Sequence, residues 1–341
     1  MRRMKIAIFG VGAVAGFVAG RLARAGQAPV LIARGERLAA YRQNGLKLID
    51  LDYESHHDLV ATDDTVSLGP QDVVLIGAKA HAIPGAIDQI TPLLGPDTIV
   101  VPMINGIPFW YFHGIPNDGG KRHLDAVDPG GKAWSGLGVE RVLGCIVYVM
   151  NTSPAPGIVQ NHGQEAKFAL GEPTGGSSAR AEVISQLLTG AGFDAPISDD
   201  IRRDLWIKLW GNLSGNSISA IAEGSCSVLG SDPDIRATMA KMMRESVAVA
   251  AAYGVELAAD ETALVEGIER RIEYFRNLGD VPTSMLQDYQ SGRTLELDPI
   301  VGAVREMGEM AGVATPTIDT VYALARTKAE IKGLYQPLTG S

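Results

Sequence analysis

Residues 5–26 read KIAIFGVGAVAGFVAGRLARAG. The apolar run at 5–9 passes into Gly10-Val11-Gly12-Ala13-Val14-Ala15, then into small and apolar residues at helical spacing that stop at Gly26. Strand, tight turn and helix are predicted in that order. In such a setting a G-x-G-x-x-A string suits a dinucleotide. The first glycine permits the turn and the second lets backbone approach a pyrophosphate. The small third residue lets the helix lie close to the sheet, and the helix N-terminus offers donors and positive potential. Gly10, Gly12, Ala13, Val14 and Ala15 are therefore candidate cofactor-binding residues. A merely structural glycine turn is the plainer alternative.

Outward from this stretch, PVLIAR (29–34), DVVLIGAK (72–79) and TIVVPMING (98–106) are further apolar runs, with the helical pattern ERLAAYRQNG between the first two. Continuous rather than alternating apolar strands belong to a sheet covered on both faces, and helical connections make it parallel. An α/β, Rossmann-like, doubly wound domain is expected over residues 1–198. It carries an aperiodic insertion at about 109–140 with Phe109, Trp110, Tyr111, Phe112 and Trp134, which is expected to line or cover a pocket. VLGCIVYVM (142–150) resumes a strand, and GIVQNHG and AKFALGE read as a hairpin-like pair. A loop at 175–178, one helix and a short strand (FDAPIS) lead to Asp199. An all-α C-terminal domain is expected over 199–341, with helices at 201–222, 233–253, 260–276, 283–290, 298–312 and 317–331.

The 341 residues are 46% hydrophobic and 20% charged, with a formal net charge of −9. That composition excludes a largely disordered chain and a broad nucleic-acid footprint. Cys145 and Cys226 form no metal-ligand spacing or disulfide framework, so a reducing cytoplasm and no metal are expected. Arg2, Arg3 and Lys5 before an apolar run imitate a secretory start, but Gly10, Gly12, Gly16, Arg21 and Arg24 speak against one. No apolar stretch is long enough to span a membrane.

Arg34 stands at the end of the second strand, where an NAD site would usually place Asp or Glu. A guanidinium there fits a 2′-phosphate, although Glu36 lies close by. Lys79 and Asn105 stand at the ends of the DVVLIGAK and TIVVPMING runs, at the carboxyl edge of an open parallel sheet where ligands lie. An ordinary surface lysine and an Asn-Gly turn are the alternatives. In DLWIKLWGNLSGNSISA (204–220), Lys208, Asn212 and Asn216 recur at a spacing of four and form a polar stripe among Leu205, Trp206, Leu209, Trp210 and Leu213. Amides and an ammonium are costly in such surroundings unless they meet partners. The late segment from Pro282 to Asp298 is dense in polar groups, among them Ser284, Asp288, Arg293 and Glu296. Glu296 and Asp298 read on spacing alone as helix-start carboxylates.

Taken together, KIAIFGVGAVAG, LIARGER, Lys79, Asn105-Gly106, the Lys-x3-Asn-x3-Asn helix and SMLQD…RTLELD resemble the ketopantoate reductase (2-dehydropantoate 2-reductase) family over almost the whole chain. The resemblance implies NADP(H) as cofactor and reduction of 2-dehydropantoate to pantoate on the route to pantothenate. It makes Lys208 the general acid and Glu296 an acceptor from the substrate hydroxyl. Asn105, Asn212, Asn216 and Ser284 would position the substrate, with Lys79 near the cofactor. Hydride addition to a carbonyl develops an alkoxide, which a nearby ammonium can protonate and stabilise without a metal. Ala15 replaces the usual third glycine, and Ser217 stands where the family often has proline. A small anionic 2-keto acid is the expected partner, with no nucleic acid and no membrane, and apolar helices leave room for a homodimer. A reductase of another small 2-keto acid and a non-catalytic NADP-binding sensor are the competing readings.

Overall fold

The structure, a computed structural model, describes residues 4–115 and 123–338. Arg2, Arg3 and positions 116–122 of the expected insertion lie outside the described residues. The chain forms two compact units, Met1–Ile104 with Lys132–Ile201, and Asn105–Gly131 with Arg202–Ser341.

In the first unit a five-stranded, wholly parallel sheet runs in the order Ala61–Thr62 (β5), Val30–Ile32 (β2), Ile6–Phe9 (β1), Gln71–Ile76 (β6) and Leu94–Pro102 (β7). Ala7 pairs with Val30 on one side and Val74 on the other, so β1 is central. All four of its residues are buried, as the continuous apolar run requires. The helix Ala13–Arg24 (α1) packs through its small residues. A Cβ on Gly16 would lie 2.5 Å from the Val159 side chain, and one on Gly20 would lie 2.9 Å from Leu48. Those two partners belong to a second sheet, ordered Glu54–His57 (β4), Leu46–Ile49 (β3), Ile158–Asn161 (β10) and Asn151–Ala155 (β9). Gly144–Tyr148 (β8) pairs with Lys167–Gly171 (β11). Phe17, Phe168 and Phe193 fill the space between layers, with Phe17 and Phe193 edge to face at 5.3 Å. Each such ring contributes about 1.5–3 kcal/mol by burial.

The hairpin expected from GIVQNHG and AKFALGE does not form. Strand β10 pairs with β9 and β3, whereas β11 pairs antiparallel with β8. Strands β3, β4, β5 and β9 were not foreseen.

The second unit is helical. Its helices are Ile201–Gly211 continuing through Asn212–Asn216 and Ser217–Ala222, then Cys226–Ser231, Pro233–Ala252, Glu261–Asn277, Ser284–Gln290, Asp298–Gly302 continuing as Ala303–Ala311, and Pro316–Ile331. Their starts are written in the sequence. Asp232 accepts from the amides of Asp234 and Ile235 ahead of Pro233, and Asp260 accepts from Ala263. The short helix Cys226–Ser231 was missed. Two departures from α geometry were also invisible: Asn212–Asn216 and Asp298–Gly302 are π turns.

Four of the five aromatics named in the insertion pack inside the helical unit. Phe109, Trp110, Tyr111 and Phe112 are all buried. The Trp206 indole donates to the Tyr111 hydroxyl at 2.8 Å, and Tyr111 and Phe112 both meet Tyr253 edge to face. Residues 105–131 thus belong to the helical unit, while 132–140, with Trp134, belong to the first. Among the described residues no helix is long and apolar enough to cross a membrane, and no cluster of His, Cys, Asp or Glu is arranged to hold a metal.

Candidate active site

Gly10 has φ +78°, and a side chain there would begin 2.6 Å from the Ala78 amide nitrogen, so only glycine fits. Its carbonyl accepts from the Gly12 amide at 2.9 Å, which closes the turn. Gly12 precedes α1 with extended backbone, and a Cβ on it would meet only the Arg37 guanidinium, at 3.8 Å. That open face is the one a pyrophosphate needs, and Ala13 and Val14 form the helix start beside it. Ala15 must be small: a Cβ on Gly77, just past β6, would lie 2.3 Å from its methyl group. The residues present fit a dinucleotide.

Two residues that sequence reasoning missed brace this turn. The Val11 carbonyl accepts from Arg37 Nη1 at 2.8 Å and from the Tyr41 hydroxyl at 3.3 Å. Burial pushes the Tyr41 phenol up to about 12, against the opposing charge of Arg37, so it stays a donor. Arg34 lies exposed at the carboxyl end of β2, at the N-cap of the helix Gly35–Asn44, and makes no ion pair among the described residues. Lys79 is half-buried two residues beyond Gly77 and caps a short 3-10 turn.

The other predicted residues all lie in the helical unit. Lys208 Nζ donates to Asn105 Oδ1 at 2.7 Å, joining residues 103 positions apart. Asn216 Nδ2 donates to Ser284 Oγ at 3.3 Å. Asn212, Lys208 and Glu296 are each half-buried. The π turn begins at Asn212, so the stripe read as four-residue spacing is not a regular α face; widened turns of this kind recur at functional sites. Gly215 allows the turn to press on its neighbour, since a Cβ there would lie 2.1 Å from Phe275 Cζ. Ser284 is exposed at the first position of its helix, where Thr283 accepts from the Leu286 amide as N-cap.

Asn105 is held by the second π turn. Gly106 has φ +82°, and its Cβ position lies 2.3 Å from the Pro299 carbonyl oxygen, which accepts from the Ile107 amide at 2.7 Å. Asp298, read on spacing as a carboxylate at a helix start, does stand in the first turn of its helix, and it is also buried and accepts from the hydroxyls of Tyr322 at 2.7 Å and Tyr335 at 3.0 Å. Burial raises its pKa while those two hydroxyls oppose the shift, and burial beside the carboxylate pushes both tyrosines up.

A cavity of about 430 Å³ in this unit is walled by Asp298, Arg305, Glu306, Tyr322 and Tyr335. None of Lys208, Asn212, Asn216 or Ser284 lines it, so its volume is no measure of the predicted substrate site. An ammonium fixed by an amide oxygen, with further amides and a hydroxyl on the same unit, can bind a carboxylate and give a proton to a carbonyl oxygen.

Residues 6–175 match the family described as ketopantoate reductase PanE/ApbA, and residues 200–329 match its C-terminal part. A 2-dehydropantoate 2-reductase from Mesorhizobium japonicum is 43% identical to this chain, over 97% of the chain and 100% of its own length. A solved structure from Ralstonia solanacearum, assigned to ketopantoate reductase, is 38% identical with a TM-score of 0.91, covering 97% of this chain and 99% of its own. D-mandelate dehydrogenase, solved with NADH and anilino(oxo)acetate, shares the fold at a TM-score of 0.83 and 24% identity, covering 97% and 100% of the two chains.

Proposed function

Because this chain belongs to the ketopantoate reductase family, we propose that it reduces the 2-keto group of 2-dehydropantoate to the hydroxyl of pantoate, with NADPH as cofactor, in the cytoplasm on the route to pantothenate. The observation that carries this reading is the 2.7 Å hydrogen bond from Lys208 to Asn105. It sets an ammonium against an amide oxygen, which supports a proton-donor role in a chain that matches a 2-dehydropantoate 2-reductase over 97% of its length.

The reduced nicotinamide supplies the hydride when bound. Gly10, Gly12, Ala13, Val14 and Ala15 receive the pyrophosphate, Arg34 reads the 2′-phosphate, and Lys79 lies near the cofactor. Lys208 protonates the carbonyl oxygen as negative charge develops on it, and Asn105 fixes the direction of the ammonium. Such a positioned acid contributes about 10²–10⁴-fold to rate. Asn212, Asn216 and Ser284 position the substrate, and Glu296 accepts from the substrate hydroxyl.

A reductase of another small 2-keto acid is the competing reading, in which the aromatic insertion reshapes the pocket. Substrate-screened oxidation of NADPH and NADH tests the proposal. Turnover of 2-dehydropantoate with NADPH is the expected result. Turnover only of other 2-keto acids, or tight NADPH binding without turnover of any, refutes it.

A further inference from the structure

Two residues beyond Glu296 lies a buried carboxylate that the proposed reaction does not use. The geometry points to Asp298 as a positioning residue for the proposed reduction, acting through the Pro299 carbonyl on the Asn105–Lys208 pair; this rests on the functional reading above.

Asp298 Oδ1 accepts from Tyr322 and, at 3.1 Å, from Tyr335, whose hydroxyl also reaches Oδ2. Gly302 makes room for this clasp, since a Cβ there would begin 3.1 Å from Oδ1. The carboxylate is the first residue of the π turn Asp298–Gly302, so the clasp fixes the turn at its start. The next residue, Pro299, turns its carbonyl to the Ile107 amide, and the Gly106 backbone lies flat against it. One residue earlier in that loop, Asn105 accepts from Lys208. A single path therefore runs from the chain's last described segment, through Tyr335 and Asp298, to the ammonium. A buried carboxylate is costly unless its hydrogen bonds are made, so the clasp tolerates few arrangements of the turn.

The test uses the full chain. For Asp298→Ala, Asp298→Asn and Tyr335→Phe, each alone and combined with Asn105→Ala, kcat and KM for 2-dehydropantoate, melting temperature and hydrogen exchange at the Ile107 amide are measured. Asp298→Ala is expected to lower kcat about tenfold with NADPH affinity unchanged, and to speed exchange at Ile107. Asp298→Asn, whose amide oxygen still accepts from a tyrosine, recovers most of that loss, and Tyr335→Phe loses about threefold. In the Asn105→Ala background Asp298→Ala costs less than about twofold more, because both act along one path. Losses that multiply independently, or a lowered melting temperature with kcat and Ile107 exchange unchanged, overturn the assignment. Should Asp298→Ala fail to fold, Tyr335→Phe carries the same cycle. A wild-type protein that reduces no 2-keto acid refutes the functional reading instead. Ile107 exchange then decides for the path from Asp298 through the Pro299 carbonyl if it quickens in the variants, and against it if it does not.

Discussion

Replacing Lys208 by methionine keeps an unbranched side chain of similar length while removing the ammonium. The loss of a positioned general acid is about 10²–10⁴-fold in kcat, equivalent to about 3–5 kcal/mol of barrier. The 2.7 Å bond to Asn105 disappears with it, leaving a half-buried amide oxygen that costs about 1 kcal/mol of stability and a few degrees of melting temperature. The proposed pyrophosphate contacts are made by the glycine turn and not by Lys208, so NADPH affinity should stay within about threefold of wild type. Lys208→Arg is the companion variant: it restores charge, but a guanidinium gives up its proton poorly, so recovery should not exceed about tenfold. Turnover is followed by loss of nicotinamide absorbance at saturating substrate, and affinity by titration of cofactor fluorescence. A Lys208→Met enzyme within about fivefold of wild-type kcat would refute the proton-donor role.

Arg34→Ala should weaken NADPH about 10–100-fold, the worth of a charge-assisted bond to a phosphate, and leave NADH nearly unchanged; equal losses for both would end the 2′-phosphate assignment. Asp50 reports on acid stability. Burial alone would raise its pKa, but hydrogen bonds from Arg21, Asn161 and the Leu51 amide outweigh burial and hold it at about 2. A depressed carboxylate stabilises the fold above its ordinary pKa near 4 and loses that contribution as pH falls through about 2, a difference of about 2 kcal/mol. Wild type and Asp50→Asn should therefore differ most in unfolding free energy above about pH 5 and converge between about pH 4 and 2, whereas a flat difference across that range would contradict the assignment.

The parallel sheet was legible because β1, β2, β6 and the second half of β7 are largely buried apolar runs, a pattern that needs no partner to be recognised. Strand β4, Glu-Ser-His-His, carries no apolar period at all, and β5 has two residues, so their pairing alone defines them. Chain proximity suggested that β10 and β11 pair, but β10 pairs with the strand before it, β9, and with the distant β3, while β11 reaches back past both to β8. Asn105, Lys208, Asn216 and Ser284 were named as site residues from residue type and resemblance, and the structure joins them two by two. Neither π turn was legible from periodicity. Their local trace was the helix-weakening Gly211, Gly215, Pro299 and Gly302, each of which also reads as an ordinary flaw. Asp298 was legible as a helix-start carboxylate, but its burial was not, since nothing in the string announces two tyrosines 24 and 37 residues away.

The polypeptide passes from one compact body to the other after residues 104, 131 and 201. Neither body is therefore a contiguous cassette of the gene. A fragment ending before Asp199 would carry Phe109 to Phe112 away from Trp206 and Tyr253, leaving an oily surface with nothing to cover it, and the complementary fragment would lack Asn105. During synthesis the aromatic segment leaves the ribosome first and waits roughly ten seconds for Tyr253 at ordinary translation speed. Over that interval the nascent protein is a natural client for chaperones that shield greasy surfaces.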